Sequence, residues 1–419
     1  MKMKLVSIFI FASALFLSNL LAEDENFLTL DRVIELSKNN HFEQKEILED
    51  INLDKLNQKI FKDSFLPEIY LDAQFGQERN LEKVENDTFG YIVWKNKLYE
   101  SKDVLNEDKL DYAKKDKDYL LKLSMAERKI LAMKAFFDTN SAMLFQQYLI
   151  EQLAMDAIYH NRAKDFYPYG RTSDVEVLEK ETNMLLSSAK NYNAEENVYN
   201  NKSKLANLLG FDVKQMPELQ RPKLQSYLEK KILDNSKLLE FAFKNDPRMQ
   251  QYIEKMQFLD RKLANLKNNY DVQVGTVAMY GNEPQKTIGD ENNRWEARLT
   301  LRVPFYDQQK NSNEIQSVKI EKNRLYTTIE KYKVGLSEKI DELVSRLNYL
   351  KRLEKAYKVQ FDYRNLYLEK SRIDYDLNRK SDLGDSMVQL SKAEYELEKN
   401  RYEFVITYET LNLLVGEIL

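Results

Sequence analysis

The chain has 419 residues, with 64 Lys and Arg against 68 Asp and Glu, no Cys, and two His, His41 and His160. Disulfides, Cys-based metal or redox centres and His-rich metal sites are excluded, and a net charge of −4 leaves no basic footprint for nucleic acid. Only 10 Gly and 7 Pro are too few for an all-β sandwich, while 43% hydrophobic residues suffice for packed structure, so composition predicts a mostly helical protein of long elements.

The N-terminus predicts export. Met1-Lys2-Met3-Lys4 is a short basic region, Leu5 to Leu21 is apolar apart from a few Ser and Asn19, and Ala22 precedes acidic Glu23-Asp24. That is the pattern of a secretory signal peptide over residues 1–22, with cleavage after Ala22. A transmembrane anchor is the alternative, although the apolar run is short and interrupted. No second apolar run reaches spanning length, which still permits a place in an outer-membrane β-barrel.

The chain then reads as written twice. Residues 29–210 laid over 236–416 repeat their landmarks at offsets of 205 to 208. Leu36 to Asn40 falls on Ala242 to Asp246, and Ile69-x-Leu71-x-Ala73-x-Phe75-Gly76 on Val274-x-Thr276-x-Ala278-x-Tyr280-Gly281. Tyr99 and Asn106-Glu107 fall on Tyr306 and Asn313-Glu314. Arg171-Thr172-Ser173-Asp174 falls on Arg379-Lys380-Ser381-Asp382, and Leu208-Leu209-Gly210 on Leu414-Val415-Gly416. The expected organisation is a first repeat over 23–210, a surface linker with Pro217 and Pro222 over 211–232, and a second repeat over 233–419. Each repeat has a short helix, a longer helix, two strands, a very long helix and a long return helix.

In the first repeat, Glu68 to Phe75 alternates polar and apolar residues, which predicts a strand over about 67–76. Its partner, about 88–99, is less regular; the repeat offset puts Gly90, Ile92, Trp94 and Leu98 on the apolar face. A polar loop, 77–87, is expected between them. The very long helix runs from about Leu98 to Phe166, and the hairpin it forms with the return helix occupies about 100–210. In the second repeat the strands are expected over about 271–281 and 294–305. The latter alternates throughout: Trp295, Ala297, Leu299, Leu301, Val303 and Phe305 on one face, and Glu296, Arg298, Thr300 and Arg302 on the other. Four strands of about 10 residues match an outer-membrane span, and both tryptophans fall on them. An antiparallel sheet packed on a soluble core is the alternative.

The second long hairpin covers about 308–416. From Gln308 to Asn378 there is no Pro and a single Gly, Gly335, enough chain for a helix on the order of 100 Å. Leu325, Ile329, Tyr332, Leu336, Ile340, Leu343, Leu347 and Leu350 recur at near-heptad spacing, the pattern of coiled-coil packing. The long helices turn back at Tyr167-Pro168-Tyr169-Gly170 and at Asp376-Leu377-Asn378.

Taken together, these features resemble the TolC-like outer membrane efflux protein family across essentially the whole mature chain. Leu28-Thr29-Leu30-Asp31 through Asn39-Asn40 looks like its opening helix, and Phe65-Leu66-Pro67 like the approach to its first strand. Val303-Pro304-Phe305-Tyr306-Asp307 looks like its strand-to-helix exit, and Gly170 to Leu178 like its hairpin tip. The resemblance implies a mainly α fold with a small membrane β-barrel. As a homotrimer, three subunits would give four strands each to a 12-stranded barrel, continued by a periplasmic α-helical barrel. It also implies outer-membrane localisation in a Gram-negative-type bacterium, contact with outer membrane lipid, and a large periplasmic portion. Its partners would be a periplasmic membrane-fusion adaptor and, through it, an inner-membrane pump. The implied role is passive conduction in a tripartite efflux or type I secretion system, with no enzymatic activity and no cofactor.

Some positions depart from the family. The second repeat has Asn269-Tyr270-Asp271 in place of Phe65-Leu66-Pro67, and Asn378 in place of Gly170. Where the family often places acids, the chain has Glu176 and Gly384, with Asp382 and Asp385 close to the latter. The resemblance makes the tips the periplasmic mouth. The candidate residues for adaptor contact or gating are Gly170, Arg171, Ser173, Asp174, Glu176, Arg379, Lys380, Ser381, Asp382 and Asp385. Carboxylates repeated by threefold symmetry would form rings that favour cations. Ser173-Asp174 and Ser381-Asp382 equally suit simple capping of the return helices.

No phosphate loop, dinucleotide fingerprint, HExxH or GxSxG motif is present. His41 and His160 read as structural or surface residues. The competing functional reading is a secreted or periplasmic coiled-coil structural or adaptor protein, which would not need four alternating strands.

Overall fold

The structure is a computed structural model. It describes residues 27–38, 42–80, 83–86, 88–268, 271–282, 293–305, 309–377, 379 and 382–416. The expected signal peptide lies outside these residues, as do Asn39, Asn40, His41, Tyr306, Asp307, Asn378, Lys380 and Ser381.

The described chain is mostly helical with a few strands. Strand β1 (Phe27–Leu28) leads to α1 (Leu30–Ser37), α2 (Phe42–Asp63), β2 (Glu68–Gln74), β3 (Gln77–Asn80), β4 (Lys83–Asn86) and β5 (Phe89–Glu100). The first very long helix is α3 (Asp103–Phe166), followed by the return helix α4 (Asp174–Leu209). Then come β6 (Glu218–Leu219), α5 (Gln225–Leu228), α6 (Asn235–Asn245), α7 (Pro247–Asn268), β7 (Gln273–Asn282) and β8 (Asn293–Arg302). The chain closes with α8 (Lys310–Asp376) and α9 (Leu383–Val415). Helices α3 and α8 contain 64 and 67 residues, which the absence of Pro within them permits.

Two compact units form. The first holds the described residues among 1–40, 124–246 and 336–419. Its core joins Val33, Met133, Phe136, Phe137, Leu205, Tyr402 and Val405, with the Phe137 and Tyr402 rings stacked at 4.8 Å. The apolar stripe of α8 turns inward here: Leu336, Ile340, Leu343, Leu347 and Leu350 are all buried. Helices leave carbonyls unsatisfied at their ends, and side chains of other helices meet some of them. Arg128 donates from Nε to the Ser37 carbonyl at 3.1 Å and from Nη2 to the Leu208 carbonyl, tying the ends of α1 and α4 to α3. Asn400 donates to the Leu350 carbonyl at 3.1 Å, and Lys129 pairs with buried Glu409 at 2.8 Å.

Residues 211–232 differ from the expected linker. Strand β6 pairs in parallel with β1, and Leu224 lies in the core with Phe211, Met216, Leu219 and Tyr227 packed on it. The apolar residues around the prolines give the segment a surface to bury.

The second unit holds the described residues among 41–123 and 247–335. Helices α7 and α8 pack through Leu259, Leu266, Val318 and Leu325, and Tyr112 of α3 stacks on Phe258 at 4.9 Å. The strands form one antiparallel sheet in the order β2-β5-β7-β8. Three boundaries differ from expectation. Strand β8 stops at Arg302 rather than Phe305, because Pro304 has no N–H to donate to a ladder. Residues 98–100 extend β5 instead of opening α3; past a bulge at Lys97/Tyr99, Tyr99 and Glu100 pair with Val274 and Gln273. The expected loop 77–87 holds a small hairpin, with Gln77 opposite Asn86 and Asn80 opposite Lys83.

The junction from sheet to α3 is pinned by polar groups. Lys97 reaches Asp103 at 2.7 Å and Glu100 at 3.2 Å, Lys102 pairs with Asp271 at 2.6 Å, and the Val272 N–H donates to Ser101 Oγ at 3.1 Å. The hydrogen bond to the Asp271 carboxylate outweighs partial burial and holds the Lys102 pKa above the usual lysine value.

The Lys129–Glu409 pair yields a stability prediction. Lys129→Met leaves the buried Glu409 carboxylate without its cation, with the Tyr227 hydroxyl still bonded to it, and this lowers stability by up to about 3 kcal/mol. Lys129→Met with Glu409→Leu removes both charges and recovers most of the loss. Thermal unfolding of the two purified variants measures the difference.

Candidate functional site

Two regions carry the candidate chemistry: the sheet and the hairpin tips.

The sheet register sorts its side chains into two faces. One face presents Ile69 and Leu71 of β2, Ile92 and Trp94 of β5, Ala278 and Tyr280 of β7, and Trp295, Ala297, Leu299 and Leu301 of β8. Its large side chains are open: Leu71 is 71% exposed, Trp295 76% and Leu299 70%. Each such side chain forgoes about 1.5–3 kcal/mol by remaining in water. A sheet packed on a soluble core would bury this face, so that alternative does not describe the chain. The other face carries Glu68, Asp72, Lys95, Arg298 and Arg302, with a row of Tyr70, Val93, Met279 and Glu296 across it. Val93 is buried within that row. The sheet does not close on itself; β2 and β8 are its two edges.

The tips belong to the first unit. At the first, a 3₁₀ turn at Tyr167–Tyr169 follows α3, with Pro168 inside it. Gly170 then reverses the chain in the left-handed region at φ 68°, where a side chain would be strained. Ser173 Oγ accepts from the Glu176 N–H at 3.3 Å, so Ser173 caps α4. Asp174 sits in the first turn and accepts from the Tyr167 hydroxyl, which raises the Tyr167 pKa above the usual tyrosine value. Arg171 and Glu176 are exposed.

The second tip is built differently. Arg379 donates its backbone N–H to the Asp374 carbonyl at 2.8 Å, and its guanidinium lies 3.8 Å from the Asp374 carboxylate. Asp382 precedes α9 but its side chain makes no capping bond. Its carbonyl instead accepts from the Ser386 N–H at 2.9 Å and from Ser386 Oγ at 2.8 Å. Ser386 Oγ also lies 2.9 Å from Ser371 Oγ, joining α9 to α8 in a buried contact. Lys380 and Ser381 lie outside the described residues.

The hairpins meet through residues that sequence reading did not select as a set. Tyr159 of α3 donates to Asp385 Oδ2 at 2.6 Å, and its pKa is pushed up to about 12, by burial first and by Asp385 next. Glu151 accepts from Ser391 Oγ at 2.5 Å. At Gly384 an added Cβ would fall 2.1 Å from Met155 Sδ, so a side chain at this position, where the family often carries an acid, would have to displace Met155. The neighbouring acid, Asp385, is held by Tyr159.

Among the described residues no group of three or more His, Asp or Glu is arranged to hold a metal ion. His160 is half-buried on α3. No described helix is long and apolar enough to cross a membrane.

No protein-family model and no curated protein sequence matches the chain. Solved structures do. The Campylobacter jejuni CmeC outer membrane channel aligns with a TM-score of 0.73 at 12% identity, over 94% of this chain and 86% of that one. A membrane protein from Pseudomonas aeruginosa aligns at 0.72 and 14% identity, over 94% and 92%. The open state of the Neisseria gonorrhoeae MtrE outer membrane channel aligns at 0.63 and 12% identity, over 92% and 88%. The chain thus shares the TolC-like fold of these structures.

The tip packing yields a second prediction. Gly384→Ala drives its new Cβ into Met155 and lowers stability by about 1 kcal/mol, the low end for overpacking, because the thioether end of Met155 can shift. Met155→Ala in the same chain opens space and removes the clash. Thermal unfolding of both single variants and the double variant reads the coupling.

Proposed function

We propose that the protein is an outer-membrane channel that passively conducts substrates delivered by an inner-membrane pump. The observation that carries this reading is the four-stranded sheet, apolar and exposed on one face and open at both edges. A bilayer accommodates the apolar face but not unpaired backbone at an edge. An even number of antiparallel strands lets β8 of one copy run antiparallel to β2 of the next, so a ring of copies leaves no edge. Three copies would make the 12-stranded barrel that the family resemblance implies, and the likeness to outer membrane channels supports it.

On this reading the exported chain is an internal duplication. The order helix, helix, strand pair, very long helix, return helix occurs twice, as α1 to α4 and as α6 to α9, which supports it. Residues 211–232 join the two repeats and pack onto the first unit. The paired long helices continue the barrel as a periplasmic tunnel. The tips form its inner mouth and receive the hairpin of a periplasmic adaptor. Arg171, Glu176, Arg379 and Asp382 are the exposed charged candidates for that contact, and Lys380 and Ser381 stand between the last two in sequence. Ser173 and Asp174 are first of all structural, holding the start of α4. Asp385, through Tyr159, ties the two hairpins together and is the candidate for restraining the mouth. The chain itself performs no catalysis and holds no cofactor; the pump supplies energy and most of the selectivity.

The test is outer-membrane fractionation, detergent extraction and sizing, followed by reconstitution into planar bilayers. A trimer with discrete single-channel conductance is expected, and Tyr159→Phe increases the open fraction. A soluble monomer without conductance overturns the reading.

A further inference from the structure

The two open edges of the sheet carry opposite charge on the same face. On β2, Glu68 and Asp72 stand four residues apart and, among the described residues, neither forms an ion pair. On β8, Arg294, Arg298 and Arg302 stand four apart on that face. Arg298 and Arg294 both approach Glu296, the latter at 3.6 Å, so one carboxylate serves two guanidinium groups. Arg302 is exposed. The spacing of the acids therefore matches the spacing of the arginines.

We infer that the β2 edge of one copy pairs with the β8 edge of a second copy, Glu68 meeting Arg302 and Asp72 meeting Arg298. The inference rests on the proposed ring and specifies how it closes. The same-face rule admits only shifts of two residues, since a shift of one would turn polar side chains to the apolar face. Within the chain, Glu68 lies level with Lys95, Val277 and Arg298. A second copy set at that same level would bring Glu68 opposite Arg298 with no stagger, and a closed barrel requires stagger. A shift of two sets Asp72 against Glu296, like charge against like. A shift of four gives both acids an arginine and sets Tyr70 against Thr300 and Leu71 against Leu299. Four residues at about 3.4 Å over four strands at about 4.8 Å tilt the strands by about 35°, at the edge of the usual barrel range. The charges also oppose wrong pairings: two β2 edges would set acid against acid, and two β8 edges arginine against arginine.

The test uses the cysteine-free background of the full chain. Tyr70→Cys with Thr300→Cys, oxidised in isolated membranes, is expected to give covalent trimers at least tenfold more than Tyr70→Cys with Arg298→Cys. Leu71→Cys with Leu299→Cys reports the same register from the apolar face, should the first pair perturb folding. Asp72→Arg or Arg298→Asp alone is expected to reduce the trimer several-fold, and the two together to restore it. A trimer that cross-links through Tyr70 and Arg298, or that ignores the charge swap, overturns this seam while leaving the ring standing. A monomer in every variant overturns the ring and the seam together.

Discussion

A β-strand at the edge of a sheet carries a row of N–H and C=O groups that must find partners, and water or another strand can supply them. Hydrocarbon cannot. The sheet built from β2, β5, β7 and β8 has two such edges and a face of Ile69, Leu71, Trp295 and Leu299 that water disfavours. The two demands conflict in a lone chain, because the solvent that suits the edges does not suit the face. The proposed ring of copies in a bilayer would meet both. The remaining architecture can be understood from that requirement.

Long hairpins fit it because a helix of 64 or 67 residues has an apolar stripe too extended for one small core. The stripe of α8 is buried in turn at Leu336, Ile340, Leu343 and Leu347, steps of four, three and four residues along one helix face. Polar groups then fix the register of packed helices: Arg128 on two helix ends, Asn400 on a carbonyl of α8, and the Lys129–Glu409 pair. Near the tips the ties become lateral. Tyr159 to Asp385 and Ser371 to Ser386 are single hydrogen bonds, which can break without unfolding the helices that carry them.

Much of this was legible in residue order. Period-two alternation from Trp295 to Leu301 falls on β8, and heptad-like spacing falls on buried positions of α8. Both signals are local, set by how a strand or helix presents its own side chains. Ser173 as a helix cap was also readable, since the cap lies three residues from its partner N–H. Pro304 stands inside an unbroken alternation, yet its missing N–H ends β8 before the alternation does. What residue order hid is nonlocal. Nothing around Tyr159 announces Asp385, 226 positions away, and nothing around Gly384 announces Met155. Residues 211–232 have the prolines of a linker, yet Leu224 and β6 pack into a core assembled from distant segments.

The proposed channel requires the apolar face of the sheet to lie in lipid, and the chain holds a natural probe of it. Its 2 tryptophans, Trp94 and Trp295, both stand on that face. In native-like vesicles, tryptophan emission should be strongly quenched by brominated acyl chains and barely touched by aqueous acrylamide. Efficient acrylamide quenching with no response to brominated lipid would contradict the membrane-embedded sheet and the channel with it.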